Sequence, residues 1–130
     1  METDLAYTII GCAMNVYQKL GPGLLESVYQ KALMIELDNA CLLCEEEVPI
    51  NVLYEGNNLG LGFRMDILVE DTIFLELKSV SQLEKVHFKQ LQTYLRLANK
   101  PLGYLINFNT DKFTIGNSIH RIINTDYSDQ

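Results

Sequence analysis

The chain has 130 residues, 48% of them hydrophobic and 21% charged, which is typical of one globular domain (residues 1–130) and excludes a disordered segment. It holds no apolar run near the ~18 residues that span a bilayer, and its N-terminus lacks the basic region of a signal peptide, so we expect a cytoplasmic protein with no membrane association. The net charge of −7 argues against tight nonspecific binding to nucleic acid.

Two helices are predicted at the start of the chain. Apolar residues recur at helical spacing from about Asp4 to Leu20, and a Gly-Pro-Gly segment at residues 21–23 then ends the first helix. A second apolar stripe predicts a helix over Leu24–Asn39. Such a pair of helices usually packs as one layer on a sheet.

Strands and one further helix are predicted in the rest of the chain. Ser81 to Glu84 has the pattern of a capping box, so a helix should begin near Gln82 and end near Asn99. Apolar runs between turn signals predict strands over Glu47–Tyr54, Leu59–Val69, Thr72–Ser79, Leu102–Asn107 and Ile119–Ile123. The order α-α-β-β-β-α-β-β predicts an α/β fold with a mixed sheet and helices against it.

Three charged residues interrupt two of these apolar strands, Asp66 in one strand and Glu76 and Lys78 in the next. Because burying a charge is costly, such interruptions point to a site. Glu76 and Lys78 are two residues apart, so they share a face of the strand at a spacing of roughly 6–7 Å. A two-residue turn between the strands would place Asp66 on the wrong face. A three-residue loop, Glu70–Thr72, or one bulge would set Asp66 opposite Glu76, and we expect one of these.

Two carboxylates beside an amine are what a metal-dependent phosphodiesterase needs. Asp66 and Glu76 would present hard oxygens, which favour Mg²⁺ or Mn²⁺, and the metal would polarise a phosphate and activate a water. Lys78 would orient that water or stabilise charge on the phosphate. The alternative is a solvated salt bridge that contributes little, and the spacing alone does not exclude it.

Other polar residues near these positions have two interpretations each. Glu26 lies in the first turn of the second helix, where the helix dipole favours a carboxylate, but it could also be a third acidic ligand. Tyr29 lies beside it at i+3. On the third helix, His87, Gln90 and Tyr94 share a face. Each of these side chains could equally be an ordinary surface or capping residue.

The charge and cysteine patterns also leave alternatives open. Residues 1–63 hold nine acids and two bases, whereas residues 64–130 hold eight of each. The bases of the second half could form a weak phosphate-contacting face or be ordinary surface charge. Cys41 and Cys44 form one CxxC, but no second pair follows at zinc-finger spacing. We therefore expect Cys12, Cys41 and Cys44 to be buried apolar thiols.

Five short segments occur in a distinctive order. The first is GLLESVY, Gly23–Tyr29, and the second is Asp66 followed by Glu76-Leu77-Lys78. The other three segments are HFKQLQTYL (His87–Leu95), GYLINF (Gly103–Phe108) and RII (Arg121–Ile123). Together the five resemble the GxxExxY family of the PD-(D/E)XK nuclease superfamily over nearly the whole chain, although Met65 stands where the superfamily's name has proline.

This resemblance implies a restriction-endonuclease-like α-β-β-β-α-β core, in which Asp66 and Glu76 bind metal and Lys78 is the catalytic lysine. It also implies that Glu26 is the helix-borne acid and that Gln90 is the accessory polar residue of the following helix. We therefore expect a nuclease that depends on Mg²⁺ or Mn²⁺ and hydrolyses nucleic acid, with DNA as the expected substrate.

Some expectations concern ligands, substrate contacts and partners. The Leu77 carbonyl is a candidate metal ligand because it lies between Glu76 and Lys78, and Tyr29, His87 and Tyr94 are candidate substrate contacts. A chain this short should bind DNA weakly alone, so a homodimer or a protein partner is expected. The competing hypothesis is a catalytically silent binding or regulatory module, which is motivated by the small size and the net charge of −7.

Overall fold

The computed structural model describes residues 2–129, and within this range three helices and five strands follow the predicted order. None of the helices in this part of the chain is long and apolar enough to cross a membrane. The helices are α1 (Glu2–Leu20), α2 (Glu26–Asn39) and α3 (Lys85–Ala98), and the strands are β1 (Cys44–Tyr54), β2 (Asn57–Val69), β3 (Ile73–Lys78), β4 (Leu102–Asn107) and β5 (Ile119–Ile123).

The strands form one mixed sheet in the order β1-β2-β3-β4-β5. β3 and β4 are parallel, whereas the other neighbouring pairs are antiparallel. Parallel neighbours need a crossover connection, and α3 supplies it. A helix, three antiparallel strands, α3 and β4 thus give the α-β-β-β-α-β core that the sequence predicted.

Helices cover both faces of this sheet. The α1 and α2 helices bury one face, and α3 buries the other. Because successive side chains of a strand point to opposite faces, a strand covered on both sides must be apolar throughout. The buried contacts of the first face include Ile9, Val16, Leu33, Leu37, Leu75 and Ile106, and those of the second face include Met65, Phe74, Leu91, Leu95 and Leu105.

The third strand is the centre of this arrangement. Five of its six residues, from Ile73 to Leu77, are buried, and only Lys78 is partly exposed. Glu76 is the one acid in this buried run, with a relative exposure of 6%. The fold therefore forces the Glu76 carboxylate into the interior of the protein.

Two helices begin later than the sequence predicted. α2 begins at Glu26, because Leu25 before it is extended with ψ of 151°. α3 begins at Lys85 and not near Gln82, so the predicted capping box at Ser81 is wrong. The Glu84 amide instead donates to His87 Nδ1 at 2.9 Å. The residue before each helix, Leu25 or Glu84, is therefore extended.

Candidate active site

The connection between β2 and β3 decides where Asp66 lies. The register pairs Ile67 with Leu75 and Val69 with Ile73, which leaves residues 70–72 as a three-residue loop. Continued by one step, the same register sets Asp66 opposite Glu76. The predicted three-residue loop is therefore confirmed, and the two carboxyl groups meet because the loop has that length.

The structure brings Asp66, Glu76 and Lys78 together at the end of β3. Asp66 Oδ2 accepts a hydrogen bond from the Leu77 amide at 2.7 Å. Lys78 Nζ lies 3.5 Å from Glu76 Oε2, and both side chains are largely buried. A largely buried ion pair such as this differs from the solvated salt bridge that the sequence left as an alternative.

The Glu76 carboxylate is poorly compensated in this position. Burial and the neighbouring Asp66 carboxylate together raise the pKa of Glu76 to about 8, and Lys78 opposes both effects. Within the described part of the chain, Glu76 Oε1 is buried and accepts no hydrogen bond while both carboxyl groups are ionised. Glu76 and Asp66 share a hydrogen bond only when one of them is protonated. A buried carboxylate oxygen without a partner is costly and needs an explanation.

Asp66 is held in a similar environment. Burial raises the pKa of Asp66, the hydrogen bonds with the Leu77 amide and with the Glu76 carboxyl lower it, and the charges of Glu47 and Glu26 raise it. Two neighbouring carboxyl groups with raised pKa values bind protons where a cation could bind instead.

Asp66 and Glu76 fit a Mg²⁺ or Mn²⁺ ion. The donor atoms are hard carboxylate oxygens, and the unpartnered Glu76 Oε1 is the atom that such an ion would satisfy. Among the described residues, no three acidic, histidine or cysteine side chains form a complete metal cage. Two carboxylates are nevertheless enough for Mg²⁺, which keeps several of its waters.

The metal-free protein should become less stable as the pH rises. Between about 4.5 and about 8 the folded state holds a proton on Glu76 that the unfolded state has released. The free energy of unfolding therefore falls across this window. Glu76→Gln removes the buried charge, so we expect its melting temperature at pH 8 in EDTA to exceed that of the wild type by about 5–10 °C.

Thermal melts of the two proteins from pH 5 to pH 8 would measure this effect. The difference should be small at pH 5 and widen towards pH 8. Glu55→Gln, which changes an exposed acid in the β1–β2 turn, is the matched control and should follow the wild type. Parallel melting curves for wild type and Glu76→Gln would contradict the raised pKa of Glu76.

Glu26 lies near the site but does not join its two carboxylates. It is exposed at the first position of α2, and its Oε2 accepts from the Ser79 amide at 3.4 Å. Ser79 Oγ donates to the Leu24 carbonyl at 2.5 Å, which fastens the end of β3 to the start of α2. Because no three-acid cluster forms among the described residues, Glu26 remains a candidate ligand only by prediction.

Tyr29 is part of the scaffold in this structure. Its side chain is fully buried, and its ring stacks on Phe108 with the centroids 4.5 Å apart. Its hydroxyl donates to the Gly21 carbonyl at 2.6 Å and accepts from the Leu24 amide at 3.1 Å. This placement gives no support to the predicted substrate contact. Tyr29 holds the α1–α2 connection in place instead.

The predicted polar face of α3 divides into different roles. Burial and the charge of Glu76 raise the pKa of Tyr94, while Lys78 lowers it, so the Tyr94 hydroxyl lies near the site. Its ring stacks on Phe63 at a centroid distance of 4.1 Å. His87 is occupied by its bond to the Glu84 amide. Gln90 lies one turn before Tyr94 on α3 and is half-buried, so its accessory role stays a prediction.

The structure also places residues near the site that the sequence analysis missed. Asn107 is 2% exposed, and its Oδ1 accepts from the Val80 and Asn109 amides at 3.1 Å each. Its Nδ2 donates to the Val80 carbonyl at 3.0 Å. Asn107 thus fixes the chain that leaves the site after Lys78. The only sequence signal was an asparagine at the end of an apolar strand.

β1 contains an irregularity opposite Asp66. Glu46 pairs with Ile67 and Val48 pairs with Met65, whereas Glu47 and Asp66, which lie between these residues, do not form a pair. Glu47 has a φ of 52°, which is rare for a residue other than glycine within a strand. β2 changes faces here, because Met65 packs against α3 whereas Ile67 packs against α1 and α2.

The cysteines do not extend the site. Burial raises the pKa of Cys12, and burial followed by the charge of Glu70 raises the pKa of Cys44 to about 11. Such thiols are poorly reactive. Cys41 is exposed and Cys44 is half-buried, so the expectation that all three are buried is confirmed only for Cys12.

One comparison with known proteins gives a match. A model of the PD-(D/E)XK nuclease superfamily matches residues 3–122, a range that contains every candidate site residue. No curated protein and no solved structure gives a match.

Proposed function

Because the chain belongs to the PD-(D/E)XK nuclease superfamily, we propose that it is a metal-dependent nuclease that hydrolyses phosphodiester bonds of DNA. We further propose that it belongs to the GxxExxY family within this superfamily, uses Mg²⁺ or Mn²⁺ and acts in the cytoplasm. The support for the family is the motif from Gly23 to Tyr29 together with the later segments of the chain.

The observation that carries this proposal is the unpartnered Glu76 Oε1 atom. It is buried beside Asp66, while Lys78 lies 3.5 Å from the other oxygen of the same carboxylate. A purely structural ion pair gains from satisfying all its buried polar atoms. An acid left incomplete in this way is better explained as a ligand for a cation.

The chemistry follows from the roles that the side chains can take. A bound Mg²⁺ or Mn²⁺ supplies a Lewis acid that polarises the phosphate and lowers the pKa of a coordinated water. Asp66 and Glu76 would hold the ion, with the Leu77 carbonyl and Glu26 as further candidate ligands. The Leu77 amide keeps the Asp66 carboxylate aimed at the site through its 2.7 Å bond.

Lys78 and the α3 side chains would act on the substrate. The Lys78 ammonium would orient the attacking water and neutralise charge on the phosphate. Tyr94 would line the site, and Gln90 would support it from the previous turn of α3. A second copy of the chain would supply a second metal centre for the other strand of a duplex.

A cleavage assay with the purified protein tests this function. Labelled single-stranded and duplex DNA should be cut in the presence of Mg²⁺ or Mn²⁺ and remain intact in EDTA. Calorimetry with Mn²⁺ should show binding in the same buffer. Binding of Mn²⁺ without any cleavage would favour the catalytically silent regulatory module instead. If the protein neither binds Mn²⁺ nor cleaves DNA, the proposal of a metal centre is rejected.

A further inference from the structure

A polar cleft lies beyond the end of β3. We call it the loop cleft, and it has a volume of about 560 Å³. It is not part of the carboxylate centre and none of its residues was among the predicted site residues. Its walls are Ser81 on one side and, from the connection between β4 and β5, Asn109, Thr110, Asp111, Lys112 and Asn117.

The loop cleft opens at the same edge of the sheet as Lys78. β3 and β4 are parallel and pair Lys78 with Asn107, so both strands end at this edge. Ligands of open α/β sheets bind at such carboxyl ends. Ser81 follows Lys78 by three positions in the chain, a reach of at most ~10–11 Å. One strand of a duplex rises ~3.4 Å per nucleotide, so the cleft lies within about three nucleotides of the centre.

The walls of the loop cleft are held rigidly by buried polar side chains. The Asn107 amide joins Val80 to Asn109, and so fixes one wall against the other. Ser118 is fully buried, and its Oγ accepts from the Thr114 amide at 3.1 Å and donates to the Lys112 carbonyl at 3.0 Å. The lining side chains are therefore presented on a fixed backbone.

Those lining side chains are largely unused inside the protein. Over residues 2–129, the side chains of Ser81, Asn109, Lys112 and Asn117 make no hydrogen bond or ion pair with the protein. They offer a hydroxyl, two amides and an ammonium, the groups that proteins use to contact phosphate oxygens. Asp111 is the one acid of the lining and opposes an anion.

We propose that the loop cleft binds a backbone phosphate of the DNA strand, close to the phosphate that is cleaved. This inference rests on the proposed function, because it assigns the cleft to the same substrate. Lys112 supplies the charge, Ser81 and the two asparagines supply hydrogen bonds, and Asp111 limits the affinity. The polar lining excludes an apolar ligand.

Fluorescence anisotropy with a labelled DNA duplex in EDTA tests this assignment without cleavage. Lys112→Ala should raise Kd about 3–10-fold and flatten the slope of log K against log salt by about 1. Asp111→Asn should lower Kd by about 2–5-fold. Ser81→Ala removes only a neutral donor, so it should raise Kd by about 2–5-fold and leave the salt slope unchanged.

Two matched controls distinguish a local contact with DNA from the effect of the protein's overall charge. Lys31→Ala and Asp38→Asn change exposed charges on α2 and should leave Kd within about twofold of the wild type. If Lys112→Ala matches Lys31→Ala while the wild type still cleaves DNA, this inference fails and the proposed function stands. If the wild type neither binds nor cleaves DNA, both fail.

Discussion

Asp66→Asn or Glu76→Gln should lower the rate of Mg²⁺-dependent DNA cleavage by at least ~10³-fold, a loss of about 4 kcal/mol of transition-state stabilisation. Each change keeps the size of the side chain and removes one negative oxygen ligand. In Asp66→Asn the side-chain oxygen can still accept the hydrogen bond from the Leu77 amide, so the geometry of the strands should be kept. Initial rates on labelled duplex DNA, with Mn²⁺ calorimetry in parallel, would measure the effect.

The control for this prediction is Glu55→Gln, which removes an exposed acid from the β1–β2 turn. It should cleave at the wild-type rate and bind Mn²⁺ with the wild-type affinity. Circular dichroism should confirm that all the variants are folded. Cleavage by both isosteric variants within about tenfold of the wild type would rule out a metal centre at these two carboxylates.

Lys78→Met should lower kcat for DNA cleavage by about 10²–10⁴-fold, the usual range for losing a positioned proton-transfer or charge-stabilising group. Methionine keeps the length of the side chain. Because the ammonium lies 3.5 Å from Glu76 Oε2, its removal takes away a positive charge that would repel a bound cation. Mn²⁺ affinity should therefore be kept while turnover is lost.

That division between binding and turnover separates Lys78 from the two carboxylates. Calorimetry should report Mn²⁺ binding by Lys78→Met, whereas Asp66→Asn and Glu76→Gln should both lose it. Lys31→Met, on the exposed surface of α2, serves as the charge-matched control and should behave as the wild type. Full activity in Lys78→Met would show that the ion pair with Glu76 is only structural.

The sequence predicted the meeting of Asp66 and Glu76 because strand parity leaves few choices. A side chain on a strand can face only one of two ways, so the length of the β2–β3 loop decided the question. Of the three connections considered, the three-residue loop and the bulge place the two carboxylates together, and the two-residue turn does not. The structure has the three-residue loop. Burial of Glu76 followed from its place in an apolar run.

Features that depend on tertiary contacts were not predictable in the same way. The positive φ of Glu47 has no sequence signal, because only its neighbours across the sheet impose it. The predicted start of α3 was wrong because Ser81 matched a local capping pattern, while distant Asn107 hydrogen-bonds both the amide and the carbonyl of Val80. Local rules fail where a remote side chain competes for the same backbone groups.

The burial of Tyr29 changes what its motif can tell us about other chains. Tyr29 and Gly21 are joined by a hydrogen bond, and Gly23 has a φ of 99° that other residues rarely adopt. The glycine and tyrosine of GxxExxY therefore fix the connection between two helices, and of the three motif residues only Glu26 has an exposed side chain that could contact a ligand. A relative could therefore keep the whole motif for architectural reasons even where residues 66, 76 and 78 differ, so the motif by itself indicates the path of the chain between two helices and not a catalytic activity.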